Sequence, residues 1–193
     1  MRLLFLHVRS RRAGWALACI GASVILTWLG LREVSEIGAQ LRFAAIVLPL
    51  MPAVVIGGSA WSPFSEPEAV AGSRLPLLRV SHLGGLLLIS GAGLLLVASG
   101  WSGAEIELVL ARNLAGYTGL ALIGARLLGA GIGWVAPLGY ASLALVVDAS
   151  TRLGWPQRIP VDRSSMAVAA LLLVAGLGLV TLWGARLSPG EDG

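Results

Sequence analysis

"MAVAALLLVAGLGLVTLWGA", residues Met166 to Ala185, carries no charged side chain. A helix that crosses a membrane needs about 20 mostly apolar residues, and this run has that length. Moving outward from it, similar runs occupy Gly14–Leu31, Phe43–Trp61, His82–Trp101, Leu108–Leu128 and Ile132–Val147. Pro49 and Pro52 lie in the second run and Pro137 in the fifth. Prolines are tolerated in spans because neighbouring helices satisfy the freed carbonyls. The pattern predicts an all-α, polytopic membrane protein of about six transmembrane helices, with residues 1–193 forming one transmembrane domain. A different division of Leu108–Val147 gives five.

Composition points the same way. Hydrophobic residues make up 56% of the chain and charged residues 12%, with a mean hydropathy of +0.85. A soluble domain carries roughly twice that charged fraction. The excess apolar surface calls for lipid as its solvent. All 14 basic side chains are arginine, and the sequence pI is near 10.5. These arginines are scattered through short polar breaks instead of lining one soluble face. They read as membrane-flanking charge, which excludes nucleic acid as a partner. The lone Cys19 sits in an apolar run and has no partner for an internal disulfide.

Arginine asymmetry sets an expected orientation. With the N-terminus inside, Arg2, Arg9, Arg11, Arg12, Arg74, Arg79, Arg126 and Arg186 are cytoplasmic. Arg32, Arg42, Arg112, Arg152, Arg158 and Arg163 are outside. The cluster before the first span decides the orientation, since the first helix usually dominates insertion. Both termini are then expected in the cytoplasm of a cell-membrane protein. Residues 1–13 read as a basic lead-in: either a short interfacial helix with Leu3, Leu4, Phe5, Leu6 and Val8 on its apolar side, or an unstructured positive flank. "GWALACIGASVILTWLGL" outruns a signal-peptide core and is read as a retained span.

In this topology "SPFSEPEAVAGSRLPLLRV", Ser62 to Val80, is a cytoplasmic loop between the second and third spans. Ser65 and Glu68 have capping-box spacing, Pro67 suits a first turn, and Glu66 and Glu68 suit the positive end of a helix dipole. Val70 continues the helix, Gly72 can end it, and Pro76 is expected to prevent its return. The segment predicts about two turns of acidic helix, too short to fold without a partner. The alternative is a plain polar hairpin.

At membrane depth, ionisable groups demand a reason. Arg112 and Asn113 open the fourth span, and Tyr117 shares a face with Asn113. The functional reading is a polar entrance to a translocation path. The bland one is an arginine snorkelling to the outer headgroups and an interhelical hydrogen bond. Arg112 reaches Glu105 or Glu107 only if the preceding turn is helical. Ala121, Ala125, Gly129 and Gly133 form a small-residue stripe if the helix runs that far, and a shorter one if Gly131 and Gly133 break it. Residues 148–165 form an extracytoplasmic loop, "ASTRLGWPQRIPVDRSS" following Asp148, in which Trp155 reads as an interfacial anchor. A simple connection is the better reading there than a lid over an exit path.

No catalytic or metal pattern emerges. The chain has no lysine for a phosphate-binding Walker loop, no His-Glu-x-x-His pair and no nucleophile elbow. His7 and His82 are far apart in sequence and expected at membrane edges. A cofactor is not expected in this chain.

The layout of a basic lead-in, six spans and a short cytoplasmic helix after the second resembles the membrane subunit of type-two ATP-binding-cassette transporters. "SPFSEPEAVAGSRLPLLRVSHL" looks like the first coupling helix of such permeases. "ARNLAGYTGLALIGARLLGAGIGWVAPLGYA" looks like the latter half of compact actinobacterial permeases of this kind. The resemblance implies an exporter, two permease chains per complex, identical or homologous, and two separately encoded soluble ATPase subunits that hold the ATP and Mg. It also implies that Ser65, Glu66, Pro67, Glu68, Val70 and Gly72 dock in a groove of the ATPase. The competing readings are a membrane scaffold or assembly protein and a small stand-alone channel or carrier. The near absence of acids and histidines in the spans weighs against an ion-coupled carrier.

Overall fold

The computed structural model describes residues 13–33, 39–60, 75–100, 104–159 and 161–185. Ser65, Glu66, Pro67, Glu68, Val70 and Gly72, named above as a coupling helix, lie outside these residues, as does most of the basic lead-in. The described chain is helical and contains no strand: α1 Ala13–Glu33, α2 Ala39–Val47, α3 Leu50–Gly58, α4 Leu75–Ala98, α5 Ala104–Leu127, α6 Val135–Val146 and α7 Arg163–Trp183, with a 3-10 turn at Arg152–Gln157 before α7. Among the described residues four segments are long and apolar enough to cross a membrane: Leu41–Gly58, Leu75–Ala98, Glu105–Leu127 and Arg163–Trp183. The apolar helices Gly14–Gly30 and Val135–Val146 are shorter.

The second apolar run is helical on both sides of a break. Pro49 has no N–H to continue α2 and instead precedes α3. Pro52 falls in the first turn of α3, where its missing N–H leaves no intrahelical bond unmade. The same rule revises the expectation for Pro76. It is the second residue of α4, so the third apolar helix begins at Leu75, well before His82, and the polar loop ends sooner than its composition suggested. His82, expected at a membrane edge, is buried.

Helix α5 is the axis of the bundle. Within its apolar stretch 72% of residues are buried, against 22% in α4 and in α7. Close approach to α7 depends on glycine. A Cβ on Gly176 would fall 2.5 Å from the Gly119 carbonyl oxygen, and one on Gly119 would fall 2.5 Å from the Leu173 backbone nitrogen. Gly57 of α3 abuts Ala121 in the same way.

These contacts also give direction. Arg112 meets Ser165 and Gly119 meets Leu172, so α5 and α7 run parallel. Asn113 meets Ala45 and Ala121 meets Gly57, so α2–α3 is parallel to both. The other three run the opposite way. Ala16, Ile20, Ile56, Leu83, Leu86, Leu122 and Val180 form one core cluster. Ile46, Leu50, Ala53, Leu94, Leu114, Tyr117 and Ala141 form another, nearer the start of α5. Successive apolar segments therefore alternate in direction, counting α2–α3 as one. The beginning of α1 and the end of α7 lie at the same end of the bundle.

The small-residue stripe is the shorter of the two forms considered. Helix α5 stops at Leu127, and Gly129 turns the chain with φ of 103°, a conformation that disfavours side chains with a Cβ. Gly133 then folds back on Ala125, where a Cβ would sit 2.6 Å from the Ala125 nitrogen. Ala121 and Ala125 pack against different partners instead of one shared helix.

Candidate functional site

The loop after α6 is a folded unit. The Asp148 carboxylate accepts the Ser150 N–H at 2.7 Å, which holds its pKa below the usual carboxylate value. Thr151 caps the 3-10 turn by accepting the Gly154 N–H at 3.2 Å. Gln157 donates to the Val147 carbonyl at 2.9 Å. Arg158 donates to the carbonyls of Ala149 at 3.0 Å and Thr151 at 2.9 Å, and pairs with Asp162 at 2.8 Å. Asp162 caps α7 through the Ser165 N–H. Hydroxyls of Ser164 and Ser165 and the Ser165 N–H, with the charge of Arg158, hold the Asp162 carboxyl well below the usual range.

This scaffold drives Trp155 into the bundle. Trp155 is only 2% exposed, which overturns its reading as an interfacial anchor and that of the segment as a simple connection. Its ring stacks on Tyr140, with centroids 6.0 Å apart, and tilts against Tyr117 at 6.1 Å. Gly116 makes room for it: a Cβ there would lie 2.8 Å from Trp155 Cζ2. The Tyr140 hydroxyl donates to the Leu153 carbonyl at 2.8 Å and ties α6 to the same turn.

Arg112 closes the unit from the α5 side. It is 1% exposed, so the snorkelling reading fails. Nη2 donates to the Pro156 carbonyl at 2.9 Å, Nη1 to the Arg158 carbonyl at 3.0 Å and to Ser165 Oγ at 3.1 Å, and Nε to Asn113 Oδ1 at 3.1 Å. The guanidinium carbon lies 5.6 Å from the Trp155 ring centroid, within cation–π range. The preceding turn of α5 is helical, yet Arg112 bonds neither Glu105 nor Glu107. Asn113 Nδ2 bridges the carbonyls of Ala45 at 2.8 Å and Pro156 at 3.0 Å, the interhelical bond expected of it. Tyr117 is fully buried, and among the described residues its hydroxyl has no hydrogen-bond partner.

Arg112 and Tyr117 meet through Trp155, which both contact, and Asn113 joins them through its bond to the Arg112 side chain. Sequence reading missed Gly116, Trp155, the Pro156 carbonyl and Ser165. The available signals were a Trp-Pro pair inside a polar loop and an Asp-x-x-Ser cap just behind it. Among the described residues no group of three His, Cys, Asp or Glu side chains is placed to hold a metal, and Cys19 is free and exposed. What the arrangement offers chemically is a buried guanidinium whose donors are held by neutral oxygens of the same chain. A shallow pocket of about 410 Å³, lined by Arg42, Ser150, Gln157, Arg158 and Asp162, opens beside it. Compared with protein-family models, curated proteins and solved structures, the chain matches none.

Proposed function

We propose that this chain is the membrane permease subunit of an ATP-binding-cassette exporter, coupled to a separately encoded ATPase. The observation that carries the reading is the alternation of the apolar segments. Because α5 and α7 run parallel, the chain between them returns along the bundle through α6 and its flanking turns. That supports six passes even though α6 alone, at about 18 Å, is shorter than the bilayer core. The same alternation brings Ala60 and the start of α4 to the end where α1 begins, as a coupling segment between the second and third passes requires. Arg112 lies inside the bundle and drops out of the loop charges at the opposite end, which strengthens the arginine bias for a cytoplasmic N-terminus.

In this reading Glu66 and Glu68 contact the ATPase, and Arg112, Asn113 and Tyr117 border the translocation path, held shut by Trp155. Two permease chains assemble with two ATPase subunits. Replacing Glu66 and Glu68 together with arginine is expected to weaken co-purification of the proposed ATPase subunit, while membrane insertion persists. Charge reversal at a contact weakens binding without altering span hydrophobicity. Undiminished co-purification by the double variant would remove the coupling role.

A further inference from the structure

Arg112 is a buried cation, and no carboxylate among the described residues forms an ion pair with it. Its four hydrogen-bond acceptors are carbonyls, an amide and a hydroxyl, all neutral. The nearby acid, Asp162, is taken by Arg158, Ser164 and Ser165. A buried charge normally has an ionic partner, and one on a membrane-depth helix is expected to serve a function. The two acceptors contributed by the loop are placed in a telling way. The Pro156 oxygen sits on Nη2 and the Arg158 oxygen on Nη1, so two oxygens face the two terminal nitrogens of the fork. A carboxylate or phosphate presents its oxygens to arginine in that manner, with stronger, charge-assisted bonds.

We propose that Arg112 and Asn113 form a recognition site for the carboxylate or phosphate group of an anionic cargo, and that the Arg152–Arg158 loop occupies it as a resident substitute. The assignment deepens, and rests on, the reading of these residues as part of a permease path. An incoming oxyanion takes the places of the Pro156 and Arg158 carbonyls. Trp155 then leaves its seat against Gly116, and the Tyr117 hydroxyl beside it gains a polar partner.

Trp155 fluorescence reports the exchange in the full chain, purified in neutral detergent, with Trp155→Phe as the subtraction control for the other tryptophans. Dodecyl phosphate, dodecanoate and inorganic phosphate are titrated separately, with dodecanol as the uncharged comparison. A saturable red shift that needs Trp155 and an anionic probe is the expected result. A response to inorganic phosphate identifies a small-anion site, and a response to the dodecyl anions alone identifies an amphiphile headgroup site. Arg112→Lys keeps the charge and loses the fork, and is expected to weaken binding at least about tenfold. No Trp155-dependent shift in the unmodified chain, an equal shift with dodecanol, or unchanged affinity in Arg112→Lys overturns the proposal. ATPase co-purification is scored separately. A chain that recruits the ATPase and ignores the anions keeps its permease role and loses this site; the converse result removes the permease role alone.

Discussion

Trp155 and Gly116 make one joint at the residue scale. The ring occupies space that any Cβ at position 116 would invade, and it rests between two tyrosines beneath a guanidinium. Trp155→Ala leaves a large cavity and strands the Arg112 cation–π contact. Such a truncation is expected to destabilise the protein by about 3–5 kcal/mol, read as a lowered midpoint in detergent thermal unfolding. Trp155→Phe is expected to lose clearly less, because an aromatic ring still fills most of the volume. Equal midpoints for Trp155→Ala and the unmodified chain would show that the ring is not packed as described. Arg112 and Tyr117 were legible as site residues because a polar group amid apolar ones is conspicuous. Trp155 was not, because tryptophan is equally at home at a membrane interface and in a core.

Helix α7 is defined at one end by a cap and along its length by a seam. Asp162 accepts the Ser165 N–H, and its depressed carboxyl pKa has a stability consequence. A carboxylate with a folded pKa below its unfolded value of about 3.9 stabilises the fold above that value, and the contribution fades as pH falls toward the folded pKa. The thermal midpoint of the unmodified chain is therefore expected to drop on acidification below about pH 4, and that of Asp162→Asn to drop less. At neutral pH, Asp162→Ala removes the cap and is expected to lose about 1 kcal/mol. Along the seam, Gly176 lies where a side chain would strike the α5 backbone. Gly176→Leu is expected to force α5 and α7 apart and to lower the thermal midpoint sharply, whereas Gly178→Leu, at a position with open space, leaves it nearly unchanged. Matching midpoints for the two variants would contradict the seam. Helix existence was legible from apolar runs, but the start of α4 was not. Pro76 marks a helix's first turn as readily as its end, and only the backbone course distinguishes the two.

For the whole molecule, alternating segments and two ends on one side make a direct prediction. A reporter fused after Gly193 is expected to read cytoplasmic, and one inserted near Gln157 extracytoplasmic. A cytoplasmic signal at Gln157 or an external one at Gly193 would break the proposed topology of six passes with both termini inside. In the proposed topology residues 148–159 and 161–165 lie at the extracytoplasmic end of the bundle.

Composition and run length by themselves determined that the protein is helical and suited to a membrane, because burial of backbone polar groups in lipid leaves a helix as the local solution for each apolar run. Asn113 and Tyr117 were also placed on one helix face by their four-residue spacing. What only the tertiary structure decided is what Arg112 faces. Its loop and α7 partners lie 44 to 53 positions away, brought in by the parallel course of α7 and by a loop that turns back into the bundle. Such contacts depend on glycine gaps at Gly116, Gly119 and Gly176 in distant segments, and no periodicity along one helix encodes which gap receives which side chain.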